Sequence, residues 1–237
     1  MSLELVSRKD YLAGEKITTI YFGGGTPSLL ETDEIKGVIE TIGNNYDVEW
    51  NGLEITLEGN PDDLSLMKLK ELSDAGINRL SIGVQSFFDN DLKLLHRVHN
   101  AGQSTRCLTD ALETGFENIS IDLIYGIPGQ ADEQWADNLD QLNKYKLPHF
   151  SAYALTVEPK TALEKMILRG KMENVDDDKA ARHFVMLQDW AAQNNYIAYE
   201  ISNYCLSGHF SRHNTGYWSG EKYLGIGPSA HSFNTVS

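Results

Sequence analysis

The feature that most constrains this chain is a regular alternation, in which short runs of β-branched and aromatic residues are each followed by apolar residues at helical spacing. Strands are expected over 17–22, 54–58, 79–84, 118–125 and 149–156, with a sixth over 196–202. Between them Ile35, Val38, Ile39 and Ile42 share one helical face, with Thr32 or Asp33 placed to cap it. Leu66, Leu69 and Leu72 mark a second helix ended by Gly76. Helical stretches over 91–96 and 104–114 follow, the latter closed by Gly115 in the left-handed position past a helix end. Trp135, Leu139 and Leu142 lie on the next helix, and Ala180, Phe184, Leu187 and Ala191 mark one face of a later one. Such alternation is what βαβ crossovers produce, and it predicts a parallel sheet. Periodicity leaves open whether that sheet is doubly wound or a barrel.

In either architecture the C-terminal strand ends form one rim where ligands bind. Thr26 follows the first strand, Glu58 ends the second, Gln85 ends the third, Asp122 lies inside the fourth and Ala154 sits near the end of the fifth. The turn Gly23-Gly24-Gly25-Thr26 matches neither the GxxxxGK[ST] nor the GxGxxG pattern. Its glycines allow a ligand to approach the backbone without obstruction by a Cβ. Glu58 emerges from an apolar strand, where desolvation is costly unless a partner compensates. A ligand ammonium or ribose hydroxyl would compensate, and so would an ion pair with a neighbouring Lys or Arg. Asp122 is held between Ile121 and Leu123. Gln85 and Arg97 gain meaning only beside these groups.

A further cluster spans 209–218. His209 and His213 are at i, i+4 spacing, but no cysteine or carboxylate stands at ligand spacing with them, which weighs against zinc. An imidazole beside Tyr217 and Trp218 could ligate haem iron, with the aromatic rings covering the macrocycle. The plainer alternative is a hydrogen-bonded histidine beside a packed Trp. Residues 223–233 read as a strand or turn whose glycines permit close ligand approach, and the acidic run 173–178 as a solvated connector.

The charge balance narrows the ligand class. Lys and Arg number 20 against 34 Asp and Glu, a net charge of −14, which argues against a protein that coats nucleic acid and favours a small-molecule ligand. No run approaches the roughly 20 apolar residues of a membrane-spanning helix. The N-terminal residues lack a basic start followed by an apolar run, so no membrane insertion and a cytoplasmic location are expected. Cys107 and Cys205 are too far apart for a metal spacing, and a disulfide is not expected in a reducing compartment.

Taken together, the motifs resemble those of the radical S-adenosylmethionine (SAM) family of oxygen-independent coproporphyrinogen III oxidase and the haem chaperone HemW. The resemblance runs from Ile17 to Phe233. It rests on YFGGGTPSLL (21–30), LEGNPDDLS (57–65), GINRLSIGVQSF (76–87), LLHRVHNAGQS (94–104), IDLIYGIPGQ (121–130), HFSAYALTVEPKT (149–161), EISNYC (200–205), RHNTGYW (212–218) and YLGIGPSAHSF (223–233).

The resemblance implies a partial (β/α) barrel, with residues 1–195 forming its core and 196–237 carrying the final strands and the start of a C-terminal part. Gly24, Gly25 and Thr26 resemble the glycine motif that holds the amino-acid end of SAM. Glu58, Gln85, Arg97 and Asp122 match positions lining the SAM pockets, and Ala154 and His231 match weaker contacts. The HNxxYW motif, with His213, Asn214, Tyr217 and Trp218, resembles the haem-binding element of the chaperone branch, and His213 is its candidate iron ligand. That branch binds haem for delivery to a recipient haem protein; the alternative is the oxidase, which decarboxylates coproporphyrinogen III. The family's CxxxCxxC loop, which binds a [4Fe-4S] cluster, is absent from this chain. The first strand and the cluster loop are therefore expected to be missing, the cluster to belong to a full-length parent, and this chain to be inactive in reducing SAM. The sheet edge left open is a hazard for association, at its simplest a homodimer.

Overall fold

The computed structural model describes residues 1–170 and 173–235. A short helix α1 (Ser2–Ser7) precedes β1 (Thr19–Phe22), α2 (Thr32–Asn45), β2 (Glu54–Gly59), α3 (Leu66–Asp74) and β3 (Arg79–Gln85). Two helices follow, α4 (Asp89–Leu94) and α5 (Ala101–Thr114), then β4 (Asn118–Tyr125), α6 (Asp132–Lys144) and β5 (His149–Ala154). The described chain closes with α7 (Ala162–Leu168), α8 (Asp177–Gln193), β6 (Ile197–Ala198), β7 (Asn203–Cys205) and α9 (Arg212–Ser219).

One seven-stranded sheet has the order β1-β2-β3-β4-β5-β7-β6, and β1 to β5 are parallel neighbours in sequence order. That order decides between the two architectures left open above. Right-handed crossovers that always step the same way place the crossover helices on one face of the sheet, whereas a doubly wound sheet reverses direction and is covered on both. The result is a partial barrel.

Strand side chains alternate between the two faces. Ile20, Phe22, Ile55, Leu57, Leu80, Ile82, Ile119, Ile121, Leu123 and Phe150 enter the core beneath the helices. They meet Ile35, Ile39 and Ile42 of α2, Leu69 and Leu72 of α3, Leu108 of α5, Trp135 and Leu139 of α6, and Leu187 of α8. Each such buried aliphatic side chain contributes about 1.5–3 kcal/mol. The opposite face is polar and lines a cavity.

Several local expectations are corrected. Helix α2 is capped at Glu31, whose backbone N–H donates to the Glu34 carboxylate (3.0 Å), while the Thr32 hydroxyl donates to Glu71. On α8, Phe184 is exposed and His183 takes the inward position. Gly126 is the reason: its N–H donates to His183 Nδ1, and a Cβ on Gly126 would lie 3.1 Å from that of Ala180, so α8 packs directly on this turn. The acidic run does more than connect, since Asp176 caps α8 and Asp177 and Asp178 occupy its first turn. Gly115 closes α5 at φ 96°, as expected.

The sixth strand is also different. Only Ile197 and Ala198 form β6, and Asn203–Cys205 fold back as β7, antiparallel to both β5 and β6. Four residues suffice for such a hairpin, whereas a parallel return needs a dozen or more. Packing places β7 beside β5: the Tyr204 ring stacks on Phe150 at 4.9 Å, and Tyr196 and Trp190 meet Phe150 edge-on. Phe150→Ala should therefore lower the unfolding free energy by about 3–5 kcal/mol, measured by urea denaturation.

Candidate functional site

The rim begins at the turn after β1. A Cβ on Gly23 would lie 2.5 Å from the Tyr21 ring and 2.8 Å from Glu58 Oε1, so only glycine fits there. Gly24 takes φ +80°, and its N–H donates to Glu58 Oε2 (3.2 Å). The Tyr21 hydroxyl donates to Glu58 Oε1 (2.6 Å). Both carboxylate oxygens of Glu58 are thereby aimed.

Beside it lies a recess of about 140 Å³ bordered by Gly25, Thr26, Glu58, Asn60, Gln85, Arg97 and Asp122. Arg97 donates to Asn60 Oδ1 (2.5 Å) and to the Gly83 carbonyl (3.3 Å), and its buried Nε has no hydrogen-bond partner among the described residues. Gln85 holds a left-handed backbone (φ 67°), a conformation that costs a non-glycine residue energy and recurs at functional sites. A Cβ on Gly83 would come within 3.0 Å of Gln85 Nε2 and 3.2 Å of the Arg97 guanidinium, so the missing side chain shapes the recess.

The recess shares Glu58, Ser81 and Asp122 with a larger cavity of about 1090 Å³ over the polar face of the sheet. Burial pushes the Asp122 carboxyl up to about 6; the Ser151 hydroxyl partly opposes the rise and the Glu58 carboxylate adds to it. On the floor, His149 joins Ser120 Oγ through Nδ1 (2.7 Å) and Tyr199 OH through Nε2 (2.8 Å). Burial, followed by the charge of Arg79, holds His149 well below the usual imidazole range and hence neutral.

Helix α9 closes one side of this cavity. Ser211 caps it through the Asn214 N–H, and the buried carboxylate of Glu54 accepts from the N–H groups of Arg212 (3.2 Å) and His213 (3.1 Å). A carboxylate at a helix N-terminus also meets the positive end of the helix dipole. His213 is placed against β1: Nδ1 lies 3.1 Å from Thr19 Oγ1, Nε2 3.2 Å from Tyr217 OH, and its ring stacks on Tyr21 at 4.7 Å. Burial lowers its pKa to about 4, so it is neutral at pH 7. Asn214 reaches the Tyr199 hydroxyl. His209 precedes α9, so the two histidines do not share a helix face.

The structure thus gathers Gly24, Gly25, Thr26, Glu58, Gln85, Arg97, Asp122, His213, Asn214, Tyr217 and His231 around the two connected cavities. Ala154 is exposed at the end of β5 and borders neither, and Trp218 is 59% exposed on the outside of α9. Sequence reasoning missed Tyr21, Arg79, His149 and Tyr199. The signal for three of them was present: Thr-Ile-Tyr-Phe, Arg-Leu-Ser-Ile and His-Phe-Ser-Ala each alternate polar with apolar residues, the mark of a strand with two unlike faces.

A sheet whose parallel strands β1 to β5 run in sequence order, with a glycine turn, two carboxylates and a guanidinium at its C-terminal rim, defines a partial α/β barrel with its candidate site at the strand ends. The family model described as Radical SAM superfamily matches residues 3–142, and the chain belongs to that superfamily. It is similar to the haem chaperone HemW of Lactococcus lactis, at 39% identity over 92% of this chain and 58% of that protein. Against HemW of Bacillus subtilis the identity is 37% over 92% of this chain and 57% of that protein. A mouse mitochondrial relative, radical S-adenosyl methionine domain-containing protein 1, is 36% identical over 92% of this chain and 49% of its own length. The chain therefore spans somewhat more than half the length of the HemW proteins it matches. Coproporphyrinogen III oxidase (HemN) from Escherichia coli shares the fold with a TM-score of 0.81 at 24% identity, over 98% of this chain and 56% of that one. No helix among the described residues is long and apolar enough to cross a membrane.

The superfamily implies a [4Fe-4S] cluster, and the residues present do not fit one. Cys107 and Cys205 are both buried, and burial pushes their thiols up to about 12 and about 11, whereas cluster ligands are thiolates. Among the described residues no three His, Cys, Asp or Glu are grouped to hold a metal ion.

The raised pKa of Asp122 has a measurable sign. The folded chain holds this proton more tightly than the unfolded one, so stability is lost as pH rises from about 4 to about 6. Asp122→Asn should match the wild type below pH 4 and exceed it by about 1–3 kcal/mol at pH 8 in urea unfolding.

Proposed function

We propose that this chain is the barrel portion of a haem chaperone, binding SAM at the rim and holding haem at α9 for transfer to a haem protein. The observation that carries the reading is the position of the HNxxYW helix. It closes the large cavity, turns His213 toward it, and leaves Tyr217 on the cavity wall about half exposed for a flat apolar ligand. The sequence similarity to HemW proteins supports the same reading. Both ring nitrogens of His213 are engaged, so ligation of iron would exchange the Tyr217 or Thr19 contact for the metal. Its neutral imidazole is the form that ligates iron.

SAM fits the rim by chemistry. The unpartnered Arg97 Nε and the guanidinium around it suit the ligand carboxylate, Glu58 and Asp122 its cationic centres and ribose hydroxyls, and the open backbone at Gly24 and Gly25 its close approach. When bound, SAM supplies a sulfonium-activated adenosyl group. The chain's own residues bind and orient it.

Haem titrated into the protein should give a saturable Soret shift at about one haem per chain. His213→Ala should weaken that affinity at least tenfold. Unsaturable binding, equal in both proteins, would remove α9 from the haem site, and turnover of coproporphyrinogen III would replace the chaperone reading with the oxidase.

A further inference from the structure

Tyr21 stands between the two parts of the site, two residues ahead of the glycine turn and outside the HNxxYW helix. Its hydroxyl donates to Glu58 Oε1 (2.6 Å) at the rim, and the flat of its ring lies against His213 (centroids 4.7 Å apart, planes 17° apart). His213 is clamped on its other sides by Thr19 and Tyr217, and Thr19 shares with Tyr21 one face of the same four-residue strand. Burial, followed by the Glu58 carboxylate, raises the pKa of the Tyr21 hydroxyl, so it is a hydrogen-bond donor at neutral pH. The contact is built in, because any side chain at position 23 would meet both Tyr21 and Glu58.

We infer that Tyr21 is a positioning residue that couples the rim to the HNxxYW helix, so that a ligand taking the Glu58 carboxylate changes how His213 is seated. The inference rests on the reading that SAM occupies Glu58. A ligand hydroxyl or ammonium on Glu58 Oε1 competes with the Tyr21 hydroxyl, which then has two states, bonded to Glu58 or released. Because the Tyr21 ring stacks on the imidazole, each state imposes its own seat on His213. The coupling is reciprocal by thermodynamic necessity: whatever factor SAM imposes on affinity at α9, a ligand at α9 imposes on SAM. Such factors are typically about 5- to 150-fold.

The test follows the imidazole nitrogens of His213 by NMR in the ¹⁵N-histidine-labelled protein, with the signals assigned by their loss in His213→Asn. Adding SAM to the wild type should shift the His213 signals along the same saturation curve that calorimetry gives for binding. Tyr21→Phe keeps the stacked ring and removes the hydroxyl. At saturating SAM its His213 signals should stay in place, and its SAM affinity should rise, because the hydroxyl that competes for Glu58 Oε1 is gone. Glu58→Gln, a second isosteric change, should shift His213 before any ligand is added. An unchanged SAM-driven shift in Tyr21→Phe, or saturation of the wild type without any shift, overturns the coupling. Failure of SAM to bind the wild type overturns both the coupling and the SAM reading. A flat Soret titration beside an intact, Tyr21-dependent shift overturns the haem reading alone.

Discussion

Everything in this molecule depends on a sheet whose two faces have opposite chemistry. One face is Ile, Leu and Phe, covered by helices, and its burial drives folding. The other is Thr, Ser, Glu, Arg, Asp and His, left free of crossover helices because the strands are laid down in sequence order, and α9 closes part of it. An apolar second face would be buried against a second helical layer. A polar one is stable facing a cavity that holds water or ligand.

Polar groups on that face carry a desolvation cost, and the structure meets it with named partners. Arg79, 2% exposed, donates to Asn118 and lies within the field of Glu54. Glu54 in turn spends its oxygens on the first N–H groups of α9. His149 has Ser120 and Tyr199, and Tyr199 accepts from Asn214. The floor of the cavity and the helix that closes it are thus one hydrogen-bonded assembly. Behind the rim, Ser86, Asp91, Gln130 and Asn138 form a buried network that ties the turn after β3 to the loop after β4. A rim built on such support is preorganised, which reduces the ordering cost of binding.

The strand ends and α9 face one connected space. Glu58 and Asp122 lie where the recess and the main cavity meet, while His213 lines the main cavity from its β1 side. That proximity is why a rim ligand and an α9 ligand are parts of one proposed function. It is also why Tyr21, ahead of the glycine turn and stacked on His213, stands where the two would communicate.

Much of this was legible in the chain. Helical and strand periods located β1 to β5 and the inward faces of α2, α3 and α6, because each follows from local spacing of apolar side chains. The rim residues were legible from their places after strands, and Gly115 from its place past a helix. Phe184 was misread because an apolar residue at helical spacing is normally inward, and only the close approach of α8 to Gly126 gives that position to His183. The order of β7 and β6 was decided by aromatic packing on Phe150, between residues about 50 positions apart. Local periods left barrel and doubly wound sheet open, and only the motif resemblance implied the partial barrel that the strand order shows; the contact of Glu54 with α9 and the stack of Tyr21 on His213 were decided only in three dimensions. Sequence determines what repeats locally, the turns and the two faces of each strand. Tertiary structure decides which of those faces meet, because contacts between distant segments depend on packing that no local period encodes.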